Sequence, residues 1–291
     1  MLGRINGLEL LINRLAMDHL NPLLNHLTPS VRYYYSGTAC AGGAYDYDGT
    51  APCGHLHLVK SGSLQVKLPG NRHISITRPT VLLFPRPCAH NMVPGDCGVE
   101  LVCGRVDLGH AEQSPLALSL PECLAISLAE MPAIGATLDL LYREAFDANI
   151  GRETAINHLL DYFMIHVLRY LVVQGQFNHG VLAALADSRL ALALNAMHER
   201  PSHPWTLEQL AEIANMSRAR FAANFHRLAG IPPLEYLTNW RLSVARGLMR
   251  QGRPLKSVAS AVGYQSPEAF GRVFARRIGQ TPAEWIRVNR A

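Results

Sequence analysis

Residues 205–237 read WTLEQLAEIANMSRARFAANFHRLAGIPPLEYL, and residues 253–286 read RPLKSVASAVGYQSPEAFGRVFARRIGQTPAEWI. The two stretches carry one apolar pattern. Leu207, Leu210, Ala211, Ala214 and Met216 recur 48 positions later as Leu255, Val258, Ala259, Val262 and Tyr264. The offset then becomes 49, pairing Phe221, Phe225, Gly230, Pro233 and Tyr236 with Phe270, Phe274, Gly279, Pro282 and Trp285. One inserted residue between Met216 and Phe221 explains the change, in a turn where insertions are tolerated.

Each copy reads as a helix-turn-helix unit. Thr206 caps a helix with Leu207, Leu210, Ala211 and Ala214 on one face, and Gln209 stands where a capping box needs it. Asn215 and Met216 break it; Ser217 caps a second helix that buries Phe221, Phe225 and Leu228 and stops at Gly230. The second copy turns at Gly263, restarts at Ser266 with Pro267 in the first helical position, and closes at Gly279. Thr281 and Pro282 then start a last helix bearing Trp285. Between the copies, residues 234–250 read as one stiff helix without an internal proline. Such a spacer suits two recognition helices entering one face of DNA about 34 Å apart, so that a single chain does the work of a dimer.

Charge points the same way. From Ser188 onward there are 15 Lys plus Arg against 6 Glu and no Asp, whereas residues 1–187 carry 12 basic against 16 acidic side chains. The whole-chain balance of +5 hides this asymmetry. Basic side chains supply the salt-sensitive phosphate contacts of DNA binding. Of those 15, all but Lys256 are arginine, whose planar fork suits phosphate and guanine edges.

The repeated segments, and most specifically VGYQSPEAFGRVFARRIGQTPAEW (262–285), resemble the DNA-binding domain of AraC/XylS transcriptional regulators. The resemblance covers about the last hundred residues. It implies two units in adjacent major grooves of promoter DNA, acting through RNA polymerase, as activators in most members. With the phenylalanines inward, the first recognition helix presents Ser217, Arg218, Ala219, Arg220, Ala222, Ala223 and His226, and the second presents Ser266, Pro267, Glu268, Arg272 and Arg276. Arg272 can reach guanine O6 and N7, and Glu268 can accept from cytosine N4. Family members often carry larger polar residues where this chain has Ala219, Ala222 and Ala223. The first unit is therefore expected to read thymine methyls or DNA shape, with Arg218 and Arg220 on phosphates. Trp205, Trp240 and Trp285 read as packing residues.

The rest should be the sensor. At 291 residues and 48% hydrophobic composition the chain has room for two cored domains. No segment reads as a signal peptide or membrane span, so the expectation is a cytoplasmic protein with no membrane association. From Val31 to Asp107 the apolar period is two, as in GHLHLVKSGSLQVKLPG and ISITRPTVLLFPRP, which indicates short antiparallel strands. HLHLVKSGSLQVKL (55–68) and RPTVLLFPRPCAH (78–90) are similar to the cupin-type sensory domain that precedes many AraC-type DNA-binding domains. Residues 134–174 return to helical spacing, broken at Gly151, and the resemblance favours dimerisation through at least one of these helices. The expected architecture is α+β: a helical segment 1–30, a small cupin-like β-barrel 31–133, a helical pair 134–174, a linker 175–187, and an all-α double helix-turn-helix domain 188–291.

The chemically suggestive residues fall in the barrel. Cys53, His55 and His57 alternate along one strand and share a face, and Cys88 and His90 alternate later. Thiol and imidazole suit zinc or another soft metal. In metal-binding cupins, however, the first motif would place histidines at Gly49 and Ala51 and a carboxylate at His55; only His90 falls on an expected ligand position. No bound metal or other cofactor is therefore expected. All six cysteines lie within residues 1–123, where a reducing cytosol keeps them as thiols. Cys40, Cys53, Cys88 and Cys103, with His55, His57 and His90, are the sensor candidates for a small-molecule or redox effector, and Arg105 is placed to favour a thiolate at Cys103. The alternative is a metal-dependent cupin enzyme whose C-terminal helices bind nucleic acid or a partner. The duplicated motif favours the regulator, with no catalytic residue.

Overall fold

The computed structural model describes residues 20–51, 53–109, 114–175 and 179–289. The chain divides into two compact units, one formed by Pro29–Leu171 and the other by Val172–Ala291 together with Met1–Thr28.

The first unit is built on one seven-stranded antiparallel sheet. Its strands are β1 (Ser30–Ala39), β2 (Tyr45–Tyr47), β3 (Gly54–Leu68), β4 (Arg72–Ile76), β5 (Thr80–Phe84), β6 (His90–Asp107) and β7 (Leu124–Ser127). Two long strands organise it by changing partners along their length. The first half of β3 pairs with β5 and its second half with β4, while β6 runs beside the whole of β3. β6 pairs with β2 at its start and β1 at its end. Bulges between Val59 and Ser61 and between Gly62 and Leu64 mark the switch, as extra residues increase local bend and twist. Gly62 is needed there: its φ is +89° and an added Cβ would lie 2.2 Å from the Gly98 carbonyl oxygen. The inner face packs Val59, Leu64, Val66, Leu82, Phe84, Met92 and Leu101 into one core.

A short helix α2 (Pro115–Leu118) and 3-10 turns at Leu128–Glu130 and Pro132–Ile134 lead to α3 (Gly135–Phe146) and α4 (Arg152–Gln174). Gly151 breaks the pair with φ +75°. These two helices bury themselves on the sheet. Asn157 and Asp161 of α4 accept from the backbone N–H groups of Tyr33 and Val31, both at 2.7 Å. Arg152 donates to the Tyr33 and Ser36 hydroxyls and to the Ala145 carbonyl. The donors of edge strand β1 are thereby covered, which removes a template for unwanted pairing. The buried stripe of α4 is Ile156, Leu160, Phe163 and Val167. Because α4 covers the outside, residues 54–59 of β3 are buried on both faces, and the polar-out alternation is lost there.

The second unit contains α1 (20–27), α5 (Val181–Ala186), α6 (Ser188–Glu199), α7 (Leu207–Ile213), α8 (Arg218–Ala229), α9 (Pro233–Arg250), α10 (Leu255–Ala261), α11 (Pro267–Ile278) and α12 (Pro282–Asn289). Two of these differ from the sequence reading. Residues 181–186, expected as linker, form a helix whose first five residues are all buried, because Val181, Leu182 and Leu185 have an apolar surface of their own to cover. α5 packs on α8, and the Gly180 N–H donates to the Leu228 carbonyl at 2.7 Å. The end of the expected 1–30 segment also belongs to this unit: Leu20, Leu23 and Leu27 are buried, and the His26 ring stands edge-on to Trp240 at 5.3 Å. The remainder of that segment lies outside the described residues.

The duplication is real in three dimensions. α7 carries the capping box of Thr206 and Gln209. Both inter-helix turns require the left-handed region, met by Asn215 (φ +51°) and, 48 positions on, by Gly263 (φ +83°), two residue types that tolerate it. The caps of the second helices, Ser217 and Ser266, are 49 apart, so Gln265 is the inserted residue. Both helices end on a left-handed glycine, Gly230 or Gly279.

Gly62→Ala should lower barrel stability by more than the roughly 1–3 kcal/mol of backbone strain alone, whereas Gly70→Ala, whose φ is +73° but whose Cβ meets nothing within 4 Å, bears only the strain. Urea unfolding of the two variants measures the difference.

Candidate DNA interface and sensory cavity

The outward faces of α8 and α11 follow from four phenylalanines. Phe221, Phe225, Phe270 and Phe274 are all fully buried, each pair being one helical turn apart. Their burial leaves Arg218, Ala219, Arg220, Ala223 and His226 exposed on α8, with Ala222 half-buried. On α11, Glu268, Arg272 and Arg276 are exposed, and Ser266 and Pro267 are half-buried. None of the twelve candidates is buried.

Several already have local partners. Ser217 and Ser266 accept from the backbone N–H groups of Arg220 and Ala269, so their oxygens cap the helices, and the Ser266 hydroxyl proton is also taken up by Glu268. Arg218 pairs with Glu208 at 3.0 Å, an exposed ion pair of the kind worth at most about 1 kcal/mol and readily exchanged for a phosphate. Ser266 holds the Glu268 carboxyl below the ordinary carboxylate range, with a weaker contribution from Arg272 one turn on. The three tryptophans, at 0–8% exposure, are packing residues.

In the barrel, the structure brings together only part of the expected set. His55, His57 and His90 lie on the inner face with ring centroids 5.2–6.0 Å apart, and Cys103 of β6 joins them. Burial lowers the pKa of all three histidines, to about 4 for His55, so the rings are neutral. The Cys88 carbonyl can only accept, so His90 Nδ1 carries a proton and donates to it at 2.8 Å. His90 Nε2 is then an acceptor and takes the His57 Nε2 proton at 3.1 Å. His57 Nδ1, left unprotonated, accepts from the Cys103 thiol at 3.1 Å.

The other candidates lie elsewhere. Cys53 precedes β3 and sits near Arg105 and Asp107. The Cys88 side chain turns to Glu122, although its carbonyl serves His90. Cys40 is exposed. The expected thiolate at Cys103 is not formed, because burial pushes that thiol well above its usual range and Arg105 instead lies over the Tyr34 ring. Among the described residues no group of three or more His, Cys, Asp and Glu side chains is arranged to hold a metal ion.

What the strand pattern did not reveal is a cavity of about 220 Å³ that reaches Cys103, walled by Tyr34, Tyr35, Tyr45 and Tyr47. The Tyr34 and Tyr47 hydroxyls are hydrogen-bonded at 2.9 Å. The tyrosines stand in SVRYYYSG (30–37) and YDY (45–47), but alternation alone would put the neighbours Tyr34 and Tyr35 on opposite faces, and it is the register shift between Tyr33 and Tyr35 that lets both line the cavity.

Residues 18–173 match a family described as Cupin, and residues 210–287 one described as a helix-turn-helix domain. The chain is 31% identical over 79% of its length to the RCS-specific HTH-type transcriptional activator RclR of Escherichia coli K12, covering 82% of that protein. The chain belongs to the AraC-type transcriptional regulators with an N-terminal cupin domain. A putative AraC-like transcription regulator of Streptomyces antibioticus is 29% identical, over 92% of this chain and 98% of that protein. Among solved structures, ToxT from Vibrio cholerae superposes with a TM-score of 0.38 at 12% identity, over 88% of this chain and 98% of that one. An AraC-type regulator binds promoter DNA and is not an enzyme, which settles the choice against a metal-dependent cupin enzyme. No helix among the described residues is long and apolar enough to cross a membrane.

The buried histidines give this regulator a pH signature. Their folded pKa values lie below the 6.5 of the free side chain, so as pH falls through 6.5 the unfolded chain takes up protons that the barrel refuses. Stability is full above pH 6.5 and should be lost on descent toward about 4, the value for His55, by on the order of 1–3 kcal/mol. Urea midpoints at pH 7 and 5 measure the loss, and H55Q should reduce it.

Proposed function

We propose that this regulator reads its operator chiefly through α11, uses α8 mainly for anchoring, and is controlled from the tyrosine-walled cavity of its cupin domain. The observation that carries this reading is the contrast between the two outward faces. α8 offers methyl groups at Ala219, Ala222 and Ala223 between flanking arginines, while α11 presents Glu268 and Arg272, both exposed. Arg272→Ala should relax discrimination at one or two base pairs by roughly 1–3 kcal/mol. Arg218→Ala should weaken all sequences alike and flatten the salt dependence. Mobility-shift titrations over a panel of operator variants decide it: uniform weakening by Arg272→Ala overturns the assignment.

The signal is a small-molecule or oxidative one entering at the cavity, and its effect on DNA binding needs a coupling of only about 1–3 kcal/mol. That a relative is named an activator supports activation, with RNA polymerase as the second partner. The protein works in the cytoplasm, where promoters are. It acts as a homodimer, with α3 and α4 as the contact. Their inner faces are spent on the barrel, yet Leu140 and Tyr162 each remain 47% exposed on the outside. Tyr162→Asp with Leu140→Asp should convert a dimer to a monomer in sedimentation velocity without changing the circular dichroism.

A further inference from the structure

The cavity beside Cys103 has a chemistry that DNA binding leaves unused. Tyrosines form half of its wall, Ala39, Met92, Leu101 and Cys103 complete it, and among the described residues no Asp, Glu, Lys or Arg lines it. At about 220 Å³ it is smaller than the roughly 300–1,000 Å³ of drug-sized sites, which limits an occupant to about one ring. A carboxylate or phosphate would find no counter-charge, so the occupant is uncharged. The Tyr34 hydroxyl, bonded to Tyr47, also reaches the Cys103 thiol. A carbonyl oxygen lying against Tyr34 would therefore sit next to the sulfur.

The thiol has a base on its other side. Cys103 donates to His57 Nδ1, His57 to His90, and His90 to the Cys88 carbonyl. A proton leaving the sulfur can pass to His57 Nδ1 while the His57 Nε2 proton moves to His90. The positive charge then rests on His90, where burial disfavours it and the bond to the Cys88 carbonyl offsets part of that cost. Burial keeps Cys103 protonated at rest, so this relay is what makes the sulfur available only when an acceptor is in place.

We propose that the cavity captures small, uncharged carbon electrophiles of the quinone or α,β-unsaturated carbonyl class by covalent addition to the Cys103 sulfur. This rests on the regulator reading above and names the effector class for its cavity. The sulfur lone pair forms the new C–S bond, and the C=C electrons move onto the carbonyl oxygen. That oxygen, held by the Tyr34 hydroxyl, takes a proton from water, and the proton passed to His90 is given up to water, so that the net change is addition of S–H across the acceptor. With a quinone, the ring proton at the substituted carbon transfers to the second oxygen, giving a quinol thioether. The ring is reduced as the sulfur becomes alkylated, and nothing but the quinone is consumed.

The test treats full-length protein with para-benzoquinone or with iodoacetate and follows each cysteine by peptide mass spectrometry. Cys40 and Cys97 are exposed and serve as internal references. Benzoquinone should add to Cys103 in the folded protein, whereas iodoacetate, which carries a carboxylate, should label Cys40 and Cys97 and spare Cys103. His57→Gln should slow quinone addition at Cys103 by roughly 100-fold or more without changing the rate at Cys97. Tyr34→Phe, a milder change, should slow it as well if His57→Gln does not fold. Cys103 left unmodified while Cys40 and Cys97 are consumed overturns the proposal, as does equal labelling of Cys103 by iodoacetate. Operator affinity is measured separately on the adduct. A Cys103 adduct with unaltered operator affinity refutes control from this cavity, and loss of operator binding by Arg272→Ala and Arg218→Ala tests the DNA reading without reference to Cys103.

Discussion

Everything the DNA-binding unit can do depends on driving two phenylalanines per recognition helix out of water. A fully buried aromatic contributes several kcal/mol that no surface contact can match. Once Phe221 and Phe225, or Phe270 and Phe274, are inside, the rotation of each helix about its own axis is fixed. The remaining residues have no say in where they point. The serine caps, left-handed turns and glycine stops only define where the helix begins and ends, and the arginines inherit whatever face is left.

That dependence explains why this half was legible in the sequence. Period, caps and turn residues all obey local rules, and having two copies distinguished constrained positions from free ones: the turn kept its left-handed requirement at Asn215 and Gly263, while Ala222 and Gly271, equivalent at an offset of 49, changed freely. The barrel was legible only in outline. Strand periodicity assigns a residue to a face, but which faces meet depends on partner switching along β3 and β6, a property of the whole sheet. Cys53 and His55 looked equivalent on one strand, yet the strand begins at Gly54 and leaves Cys53 outside. Cys103 and His57 are 46 residues apart and come together only through the β3–β6 register. Nothing in the period marks the tyrosines as a cavity wall, because an aromatic in a strand ordinarily means core packing.

The cupin-type sheet shows how imidazoles can be carried in a protein interior. Three imidazoles in a dry interior would each be costly alone. Here two of them form a chain that ends on a backbone carbonyl, so each donor of that chain finds an acceptor, and neutrality is enforced by burial. The same arrangement lends direction to the thiol bond at its head.

The helix α5 carries a different consequence. Its five buried residues finish the back of the first recognition helix, and its preceding glycine is tied to Leu228. Composition alone would cut the chain after it, at the apparent start of the DNA-binding domain. A fragment beginning at residue 188 would leave the rear of α8 facing solvent, with an apolar groove where Val181, Leu182 and Leu185 had been. The segment expected to serve only as a linker is therefore, from Gly180 onward, part of the DNA-binding machinery.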